Sequence, residues 1–511
     1  MNNAGEVSKI RSLIKYMRRF FVIIALLILP WFNHSIAAEP SVERLMLLHE
    51  LDGVATDKSQ TVAMNTPNNT KPFRVLIDVR SDHSDGAHDF KTLTKLAKQR
   101  HIDALTFTEH DRFTIRLGLE PVPWLIGYSQ EHPSLYATGL NAFFHDLNVA
   151  QQQTDITIMA GTESTPGYYW QGIPFKDLSL HDAEKHLITL GVQNAAQIEA
   201  LTSYNLTHAY GNKGLSLVFW FVFIFILLRV LVRKQKRGVA LLLIGSFIAF
   251  LSTWLITPAI NTDNAFIQSA KSQNLFVIWT HPGTLSGVRE GSMGVQLNTP
   301  PYNEHVFEHP TDAFAAVYGD TDNNTVAGGL WDRFMMGYLQ GYIAKPMWAV
   351  AAGDYHEEGQ ANEYLGNFPM DVWAASNREV DILAALKQGR MTAWHMYQQQ
   401  NLSVHTLSLT SFDPVNKQAV QLFTGDEAAI TSEVRLNIGI EERGADKSIT
   451  SLSGQWIVDG RIHEKVLVPI SASKIMTTTL HLPKGKHVIR FQIPPQQGIR
   501  LETNPFLVDV R

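Results

Sequence analysis

Apolar and polar positions alternate in two different ways along the chain. Between residues 74 and 398, short β-branched and apolar runs are followed by amphipathic stretches. One of these, Phe90–Gln99, places the apolar residues Phe90, Leu93, Leu96 and Ala97 at helical spacing. Strands that alternate with helices are typical of α/β architecture. The pattern predicts strands over 74–79, 104–108, 156–160, 275–280, 313–318 and 348–352, and helices over 90–99 and 380–388.

After residue 399 the pattern changes to short strands separated by turn residues such as Asp459-Gly460. Short strands at regular spacing without intervening helices predict an all-β sandwich over 399–511. The predicted strands are 404–410, 434–438, 454–458, 465–470, 477–482 and 487–492. No feature of these residues identifies a protein partner for the sandwich.

Three longer apolar runs predict a membrane topology. Residues 1–38 combine a basic start, an apolar run over 20–29 and a small-residue end, which describes a secretory signal peptide or, without cleavage, an N-terminal anchor. The runs 215–232 and 239–256 are each close to the minimum of about 17 residues for a membrane span. The basic loop 233–237 between them is expected in the cytoplasm. The sequence therefore predicts a transmembrane helical hairpin over 213–258 that contacts the lipid bilayer.

This topology predicts a localisation at a bacterial inner membrane. Both segments that flank the hairpin return to the side opposite its basic loop, which is the periplasmic or outer side. The N-terminal signal at 1–38 indicates the same side for the folded domains.

Composition narrows the chemistry. The 511 residues include 43 Lys and Arg, 48 Asp and Glu, 20 His and no Cys, with a net charge of −5. The absence of Cys excludes a disulfide framework, a thiolate metal site and a Cys nucleophile. The net charge is too mild for nucleic-acid binding, so no nucleic-acid partner is expected. Any metal chemistry must therefore use His and carboxylate ligands.

Residues that can bind metals follow the ends of five predicted strands. Because the carboxyl ends of parallel strands share one face of a barrel, we expect these side chains to meet in a polynuclear site for divalent metals. His83 is either a further ligand or a hydrogen-bonded loop residue, and Glu109 is expected to be a solvated charge at the rim. The five segments are Asp78 with Asp82-His83-Ser84-Asp85-Gly86, Thr108-Glu109-His110-Asp111, Gly161-Thr162-Glu163, Thr280-His281-Pro282 and Gly353-Asp354-Tyr355-His356.

In this order, the segments resemble the motifs of the PHP (polymerase and histidinol phosphatase) superfamily. Thr108-Glu109-His110-Asp111 is similar to its T-D-H-D motif, and Gly353-Asp354-Tyr355-His356 is similar to the end of its G-S-D-x-H motif. A closing helix with Ala385-Leu386-Lys387-Gln388-Gly389-Arg390 is similar to its A-L-x-x-G-R. The resemblance covers roughly residues 74–395.

The resemblance implies a distorted (β/α)7 barrel that hydrolyses phosphoesters with two or three divalent ions, among them Zn, Mn, Fe or Mg. It implies one metal site at Asp85, His110 and His356. It implies a second site at Glu163, His281 and His186. Asp78 stands where the family has a histidine and is expected to ligate a metal through oxygen, and Asp354 is expected to join Asp85 and Glu163 as a metal ligand and catalytic carboxylate.

Arg80 departs from the family pattern. The two His of the family's H-x-H fall on Asp78 and Arg80, and a guanidinium has no lone pair to offer a metal. Three interpretations remain open. Arg80 replaces one metal as a fixed catalytic cation that binds a substrate phosphate or carboxylate; the site holds two metals rather than three; or catalysis is lost and the site only binds a ligand.

The predicted fold class is thus an α/β, distorted (β/α)7 PHP-type barrel interrupted by a transmembrane hairpin and followed by a C-terminal all-β sandwich. The predicted function is a membrane-anchored, metal-dependent phosphoesterase that acts on a phosphorylated or otherwise anionic small molecule. A catalytically impaired binding or sensing protein is the alternative. The predicted division is 1–38 signal peptide or anchor, 39–73 linker, 74–212 and 259–398 barrel, 213–258 hairpin and 399–511 sandwich.

Overall fold

The computed structural model describes residues 70–118, 127–172, 175–203, 261–318, 324–360, 363–397, 400–443 and 449–511. In chain order its strands are β1 (Lys71–Val79), β2 (Ala104–His110), β3 (Thr114–Gly118), β4 (Gly127–Glu131), β5 (Thr157–Ser164), β6 (Tyr169–Gln171), β7 (Ser179–His181), β8 (Leu187–Leu190), β9 (Phe276–Trp279), β10 (Val288–Glu290), β11 (Gln296–Asn298), β12 (Ala313–Val317), β13 (Trp348–Ala351), β14 (Met370–Ala374), β15 (Met391–Met396), β16 (Leu402–Phe412), β17 (Ala419–Leu422), β18 (Glu427–Ile430), β19 (Glu433–Glu442), β20 (Ser451–Val458), β21 (Arg461–Pro469), β22 (Met476–His481), β23 (Gly485–Gln496), β24 (Ile499–Thr503) and β25 (Phe506–Val510). The helices are α1 (Phe90–Gln99), α2 (Leu135–Thr138), α3 (Leu140–Gln152), α4 (Ala195–Glu199), α5 (Thr262–Ser272), α6 (Asn303–Glu308), α7 (Leu330–Gln340) and α8 (Glu379–Lys387).

Seven neighbouring strands form a ring, in the order β13-β12-β9-β8-β5-β2-β1. All pairings between them are parallel except those of β8, which runs antiparallel to β5 and β9. The two ends of the row meet where Val79 forms a bridge with Tyr355, just after β13. There the Arg80 N–H donates to the Tyr355 carbonyl at 2.8 Å, and the Tyr355 N–H donates to the Asp78 carbonyl at 3.0 Å. The carboxyl ends of six strands and the start of β8 therefore lie at one rim.

The ring is buried on both faces. Strands β2, β9, β12 and β13 are buried at every position, as expected for strands covered by side chains inside and by helices outside. Helix α1 buries Phe90, Leu93 and Ala97, and it begins where the Asp89 carboxylate accepts from the Thr92 N–H at 2.8 Å. The rigid ring fixes the rim, and the loops that leave it carry the polar residues.

Strand pairing continues from the ring into the C-terminal residues. β1 pairs with β14, β14 with β15, and β15 with β24, so that β24, β23, β20 and β21 extend the same sheet. A second sheet, β17-β16-β19-β22, packs on this extension around buried residues such as Trp456 and Phe491. The C-terminal residues thus form two packed sheets, one of them shared with the ring.

A buried ion-pair network lies between the ring and the C-terminal sheets. Arg490 on β23 contacts Asp332 on α7 through Nε–Oδ1 at 2.6 Å and Nη2–Oδ2 at 2.9 Å. Its Nη1 lies 3.1 Å from Glu502 Oε2, and its Nη2 donates to the Thr325 carbonyl at 2.8 Å. All three charged side chains are at most 5% exposed. The network ties the two parts of the molecule together.

The predicted fold class needs a correction. The chain is a mixed α/β protein with a large β content, and no helix within the described ranges is long and apolar enough to cross a membrane. The predicted fold class, which contained a membrane-spanning hairpin, and the predicted localisation at an inner membrane are therefore wrong. The hairpin positions 213–258, the signal peptide 1–38 and nearly all of the linker 39–73 lie outside the described residues. The other domain boundaries stay predictions.

Candidate metal centre

The rim of the ring brings together all eight residues predicted to ligate metals. Asp78 lies at the end of β1 and Asp85 in the loop that follows it. His110 and Glu163 lie at the ends of β2 and β5, and His186 directly precedes β8. His281 follows β9, and Asp354 and His356 follow β13. They form three groups whose ligand atoms lie within 4.8 Å of one another.

Asp85, His110 and His356 form the first ligand set. Asp85 Oδ2 lies 3.2 Å from His356 Nε2 and 3.4 Å from His110 Nε2. The other ring nitrogen of His356, Nδ1, donates to the carbonyl of Asp354 at 2.7 Å. Since a carbonyl can only accept, Nδ1 carries a proton, and Nε2 is the nitrogen that could bind a metal beside Asp85 once it gives up its own proton.

Glu163, His186 and His281 form the second ligand set, and all three are buried. His186 Nδ1 lies 3.3 Å from Glu163 Oε2 and 3.2 Å from His281 Nε2. His186 Nε2 donates to the Ala183 carbonyl at 3.1 Å, so Nδ1 is the nitrogen that could bind a metal in this set once it gives up its proton. The two sets are adjacent, because His110 Nδ1 lies 3.4 Å from Glu163 Oε2.

Asp78, Glu163 and Asp354 form a third group, which we call the third carboxylate set. Arg80 lies among these carboxylates and is fully buried. Its Nη1 lies 3.2 Å from Asp78 Oδ1, and its Nη2 contacts Glu163 Oε2 and lies 3.2 Å from Asp354 Oδ1. The remaining oxygen of Asp354, Oδ2, accepts from the Tyr318 hydroxyl at 2.9 Å.

The pKa values of these groups indicate a strongly negative electrostatic potential at the site. Burial raises the pKa of Glu163, but Arg80 and His186 outweigh it and hold that pKa well below its usual range. Burial lowers the pKa of His186, but the Glu163 carboxylate raises it to about 9. His356 behaves in the same way beside Asp85, and its pKa is also about 9. A divalent cation would neutralise the same negative potential in place of these protons.

The donor sets fit divalent metals. Each of the first two sets offers one carboxylate and two imidazoles, which suit Zn, Mn or Fe. Glu163 Oε1 is buried and, within the described residues, has no hydrogen-bond partner. An unpartnered buried carboxylate oxygen costs free energy, and a metal ion held with His186 and His281 would satisfy it.

Glu109 supports the loop that carries Asp85, although the sequence placed it at the solvated rim. It is fully buried. Its carboxylate accepts from the Ser81 N–H at 3.0 Å and the Ser81 hydroxyl at 2.6 Å, and it also accepts from the Ser84 hydroxyl. Burial raises the pKa of Glu109 to about 7, even though these donors lower it. The contacts hold residues 81–85 over the end of β2.

Two other residues lie close to the ligand sets, and His83 fits the second of its two predicted roles, a hydrogen-bonded loop residue. His83 stacks on Phe90, with ring centroids 5.0 Å apart, and belongs to none of the three sets. Tyr318, which the sequence motifs did not single out, reaches Asp354 from the end of β12. The sequence could have identified Tyr318 by its position, because it lies at the end of the predicted strand 313–318 and the other site residues also lie at or just after strand ends.

Comparisons with known proteins find distant similarities to solved structures. No family model matches the chain, and no curated protein matches it. Among solved structures it is similar to a two-domain protein containing a predicted PHP-like metal-dependent phosphoesterase from Bacteroides vulgatus, at 11% identity and a TM-score of 0.35 over 87% of this chain and 97% of that one. It is also similar to a protein assigned as a metal-dependent phosphoesterase from Bifidobacterium adolescentis, at 11% identity and a TM-score of 0.26 over 57% of this chain and 90% of that one. An amidohydrolase from Chromobacterium violaceum has 13% identity and a TM-score of 0.24 over 56% of this chain and 88% of that one. Similarities at this level do not assign an activity to the chain.

Proposed function

We propose that the chain is a metal-dependent hydrolase that acts on the phosphoester bonds of an anionic small molecule. One observation carries the proposal. Two sets of one carboxylate and two histidines lie side by side at the rim, and His110 Nδ1 lies 3.4 Å from Glu163 Oε2 where they meet. Adjacent cation sites are the arrangement that two-metal phosphoester hydrolysis requires.

The residues of the chain have separate tasks in this proposal. When bound, a pair of divalent ions supplies a nucleophilic water and neutralises charge on the phosphate oxygens. Asp85 and Glu163 hold the two sets in place as ionised carboxylates. The carbonyls of Ala183 and Asp354 select the tautomers of His186 and His356 that present a lone pair.

Asp354 is proposed to act through orientation rather than as a free base. Both of its oxygens are engaged, Oδ1 by Arg80 at 3.2 Å and Oδ2 by the Tyr318 hydroxyl at 2.9 Å. Its main-chain N–H also donates to Asp78 Oδ2 at 2.9 Å. This network fixes the segment that carries His356, two residues later.

The test combines metal analysis with hydrolysis. We expect the purified chain to bind Mn²⁺ or Zn²⁺ and to hydrolyse p-nitrophenyl phosphate or bis-p-nitrophenyl phosphate. His356→Ala and His281→Ala each remove one ligand from a different set, so each should lower metal affinity by about 100-fold or more and reduce turnover in parallel. His83→Ala is the matched control, because His83 belongs to neither set, and it should keep both metal affinity and turnover.

Two outcomes would contradict the proposal. A chain that binds no divalent metal has no metal-dependent activity. A chain that binds metal but turns over neither substrate, nor a wider panel of phosphoesters, is a ligand-binding protein rather than a hydrolase.

A further inference from the structure

The third carboxylate set already contains a cation. Asp78, Glu163 and Asp354 bring ligand oxygens within 4.8 Å of one another, and the guanidinium of Arg80 lies among them. Arg80 Nη1 is 3.2 Å from Asp78 Oδ1, and Arg80 Nη2 is 3.2 Å from Asp354 Oδ1 and in contact with Glu163 Oε2. A metal ion in contact with all three oxygens would overlap the guanidinium.

Arg80 is enclosed by protein on all sides, and of its N–H groups Nε alone has no hydrogen-bond partner within the described residues. Its side chain is 0% exposed. Besides the three carboxylates, Nη1 donates to the carbonyl and to the hydroxyl of Thr108, the latter at 2.9 Å, and Nε lies 3.9 Å from Asp85 Oδ1. A substrate phosphate would have to displace these contacts to be bound by the fork of the guanidinium. The geometry therefore disfavours a direct role in substrate binding.

Charge balance explains why a cation is needed there. Three ionised carboxylates in a buried space repel one another, and removing their counter-charge from such a site is strongly destabilising. A guanidinium supplies that charge permanently, because it stays protonated at all working pH values. A bound metal would supply it only while the ion remains.

We propose that Arg80 is a built-in cation that fills the third carboxylate set, so that the chain binds two divalent ions rather than three. This inference rests on the proposed metal centre and deepens it, because it defines the number of ions. It also assigns Arg80 as a positioning residue that holds Glu163 and Asp354, without contact to the substrate.

The experiment counts ions. The full chain is saturated with Mn²⁺, freed of unbound metal and measured by elemental analysis, with the folded state checked by circular dichroism. The wild-type chain should hold two ions. Arg80→His removes the guanidinium and adds an imidazole beside three carboxylates, so this variant should hold three. Arg289→His is the matched control, because it places an imidazole beside a single carboxylate, Glu184, at the surface, and it should hold two.

A second variant keeps the test decisive if Arg80→His does not fold. Asp78 contacts Arg80 but belongs to neither of the first two ligand sets, so Asp78→Asn should keep two ions. Any of three results would overturn the assignment. The wild-type chain could hold three ions, the folded Arg80→His chain could hold only two, or the Asp78→Asn chain could lose one ion.

The outcome for Arg80 is separable from the outcome for catalysis. No bound metal at all overturns both proposals. Two ions without phosphoester turnover overturn the proposed hydrolase and support the assignment of Arg80.

Discussion

His395 is half-buried and uncharged at neutral pH. Its ring stacks on that of Phe368, with centroids 4.6 Å apart and an angle of 3° between the planes. Burial and, to a smaller extent, the charge of Arg500 lower the pKa of His395 to about 4. A neutral imidazole is therefore the stable form at neutral pH.

This shift predicts a pH dependence of stability. In the unfolded chain, the histidine takes up its proton near pH 6.5, whereas in the folded chain it does so only near pH 4. As the pH falls through this window, the unfolded state binds more protons, so the free energy of unfolding should fall by about 2 kcal/mol. Urea unfolding at pH 7 and pH 4.5 measures it for the wild-type chain and for His395→Gln, whose side chain does not titrate.

Other groups also titrate between pH 4.5 and pH 7. The test is therefore the difference between the wild-type chain and His395→Gln in the stability that each loses on acidification. The variant should lose less stability on acidification than the wild-type chain. Equal losses in both would show that His395 is protonated in the folded state as readily as in the unfolded one.

At the residue scale, the candidate metal ligands could be located from the sequence because polar residues at strand ends form an ordered set of motifs. The burial of Arg80 and Glu109 was not. Arg80 is buried by Glu163 and Asp354, which lie 83 and 274 residues further along the chain. Contacts at such separations leave no mark on the local pattern, and a charged residue after a strand looks the same whether it is solvated or enclosed.

The loop between β1 and α1 shapes the first ligand set. The N–H groups of Ser84 and Gly86 both donate to the Ser81 carbonyl, at 3.1 and 3.0 Å. A Cβ at Gly86 would lie 2.5 Å from the carbonyl carbon and oxygen of Arg80 and 2.7 Å from the Ser81 nitrogen. These neighbours are backbone atoms at the closed rim, so they cannot move aside cheaply.

Gly86→Ala should therefore shift the loop and Asp85 with it. We expect a loss of about 1–3 kcal/mol in the free energy of unfolding, and a loss of about 10-fold or more in metal affinity at the first ligand set. The second ligand set should lose less affinity than the first, because none of its residues lies in this loop and only its contact with Arg80 is near the clash. Metal titration and thermal unfolding measure the two effects.

Gly294→Ala is a suitable control for backbone strain. Gly294 has a φ of +72°, and a Cβ added there would meet nothing within 4 Å, so an alanine should cost stability through its backbone alone. The metal affinity of this variant should equal that of the wild-type chain. A Gly86→Ala chain with unchanged affinity at both sets would show that the loop does not position Asp85.

The elements with strong periodicity were predictable. Helix Phe90–Gln99 is confirmed over its full length, and each strand predicted after residue 399 overlaps an observed strand. The short pairs β3–β4, β6–β7 and β10–β11 were not predicted. Each strand in these pairs has three to five residues, which is too few to show a clear alternation of apolar and polar positions.

The shared sheet and the Arg490 network make the ring and the C-terminal sheets mutually dependent. Arg490→Met would leave Asp332 and Glu502 buried without a counter-charge, at 5% and 0% exposure. The free energy of unfolding should fall by about 3–5 kcal/mol. Chemical denaturation followed by circular dichroism and by intrinsic fluorescence should show the two parts losing stability together.

Arg435→Met provides the comparison for this substitution. Arg435 pairs with Glu433 at the surface, where its side chain is 62% exposed, so its loss should change stability by at most about 0.5 kcal/mol. If the two substitutions lowered the free energy of unfolding by similar amounts, the buried network would not stabilise the contact between the ring and the C-terminal sheets.

At the scale of the whole molecule, the sequence indicated a change from α/β to all-β structure near residue 399, but not that one sheet runs through both parts. That continuity depends on β15 pairing with β24, from Thr392 opposite Thr503 to Met396 opposite Ile499. Pairing across such a separation is set by packing and has no local signature.

The closure of the ring at Val79 and Tyr355 has a consequence for biosynthesis. Asp85 and His110 leave the ribosome early, but His356, which completes their ligand set, lies 271 residues after Asp85. At roughly 5–20 residues per second, translation of that interval takes on the order of 15–50 s. During this time the nascent chain carries carboxylates and histidines without their final partners. In the proposed metal centre, stable uptake at the first ligand set can therefore begin only after His356 has been made, so that this ion would be acquired by a nearly finished chain rather than by an early fragment.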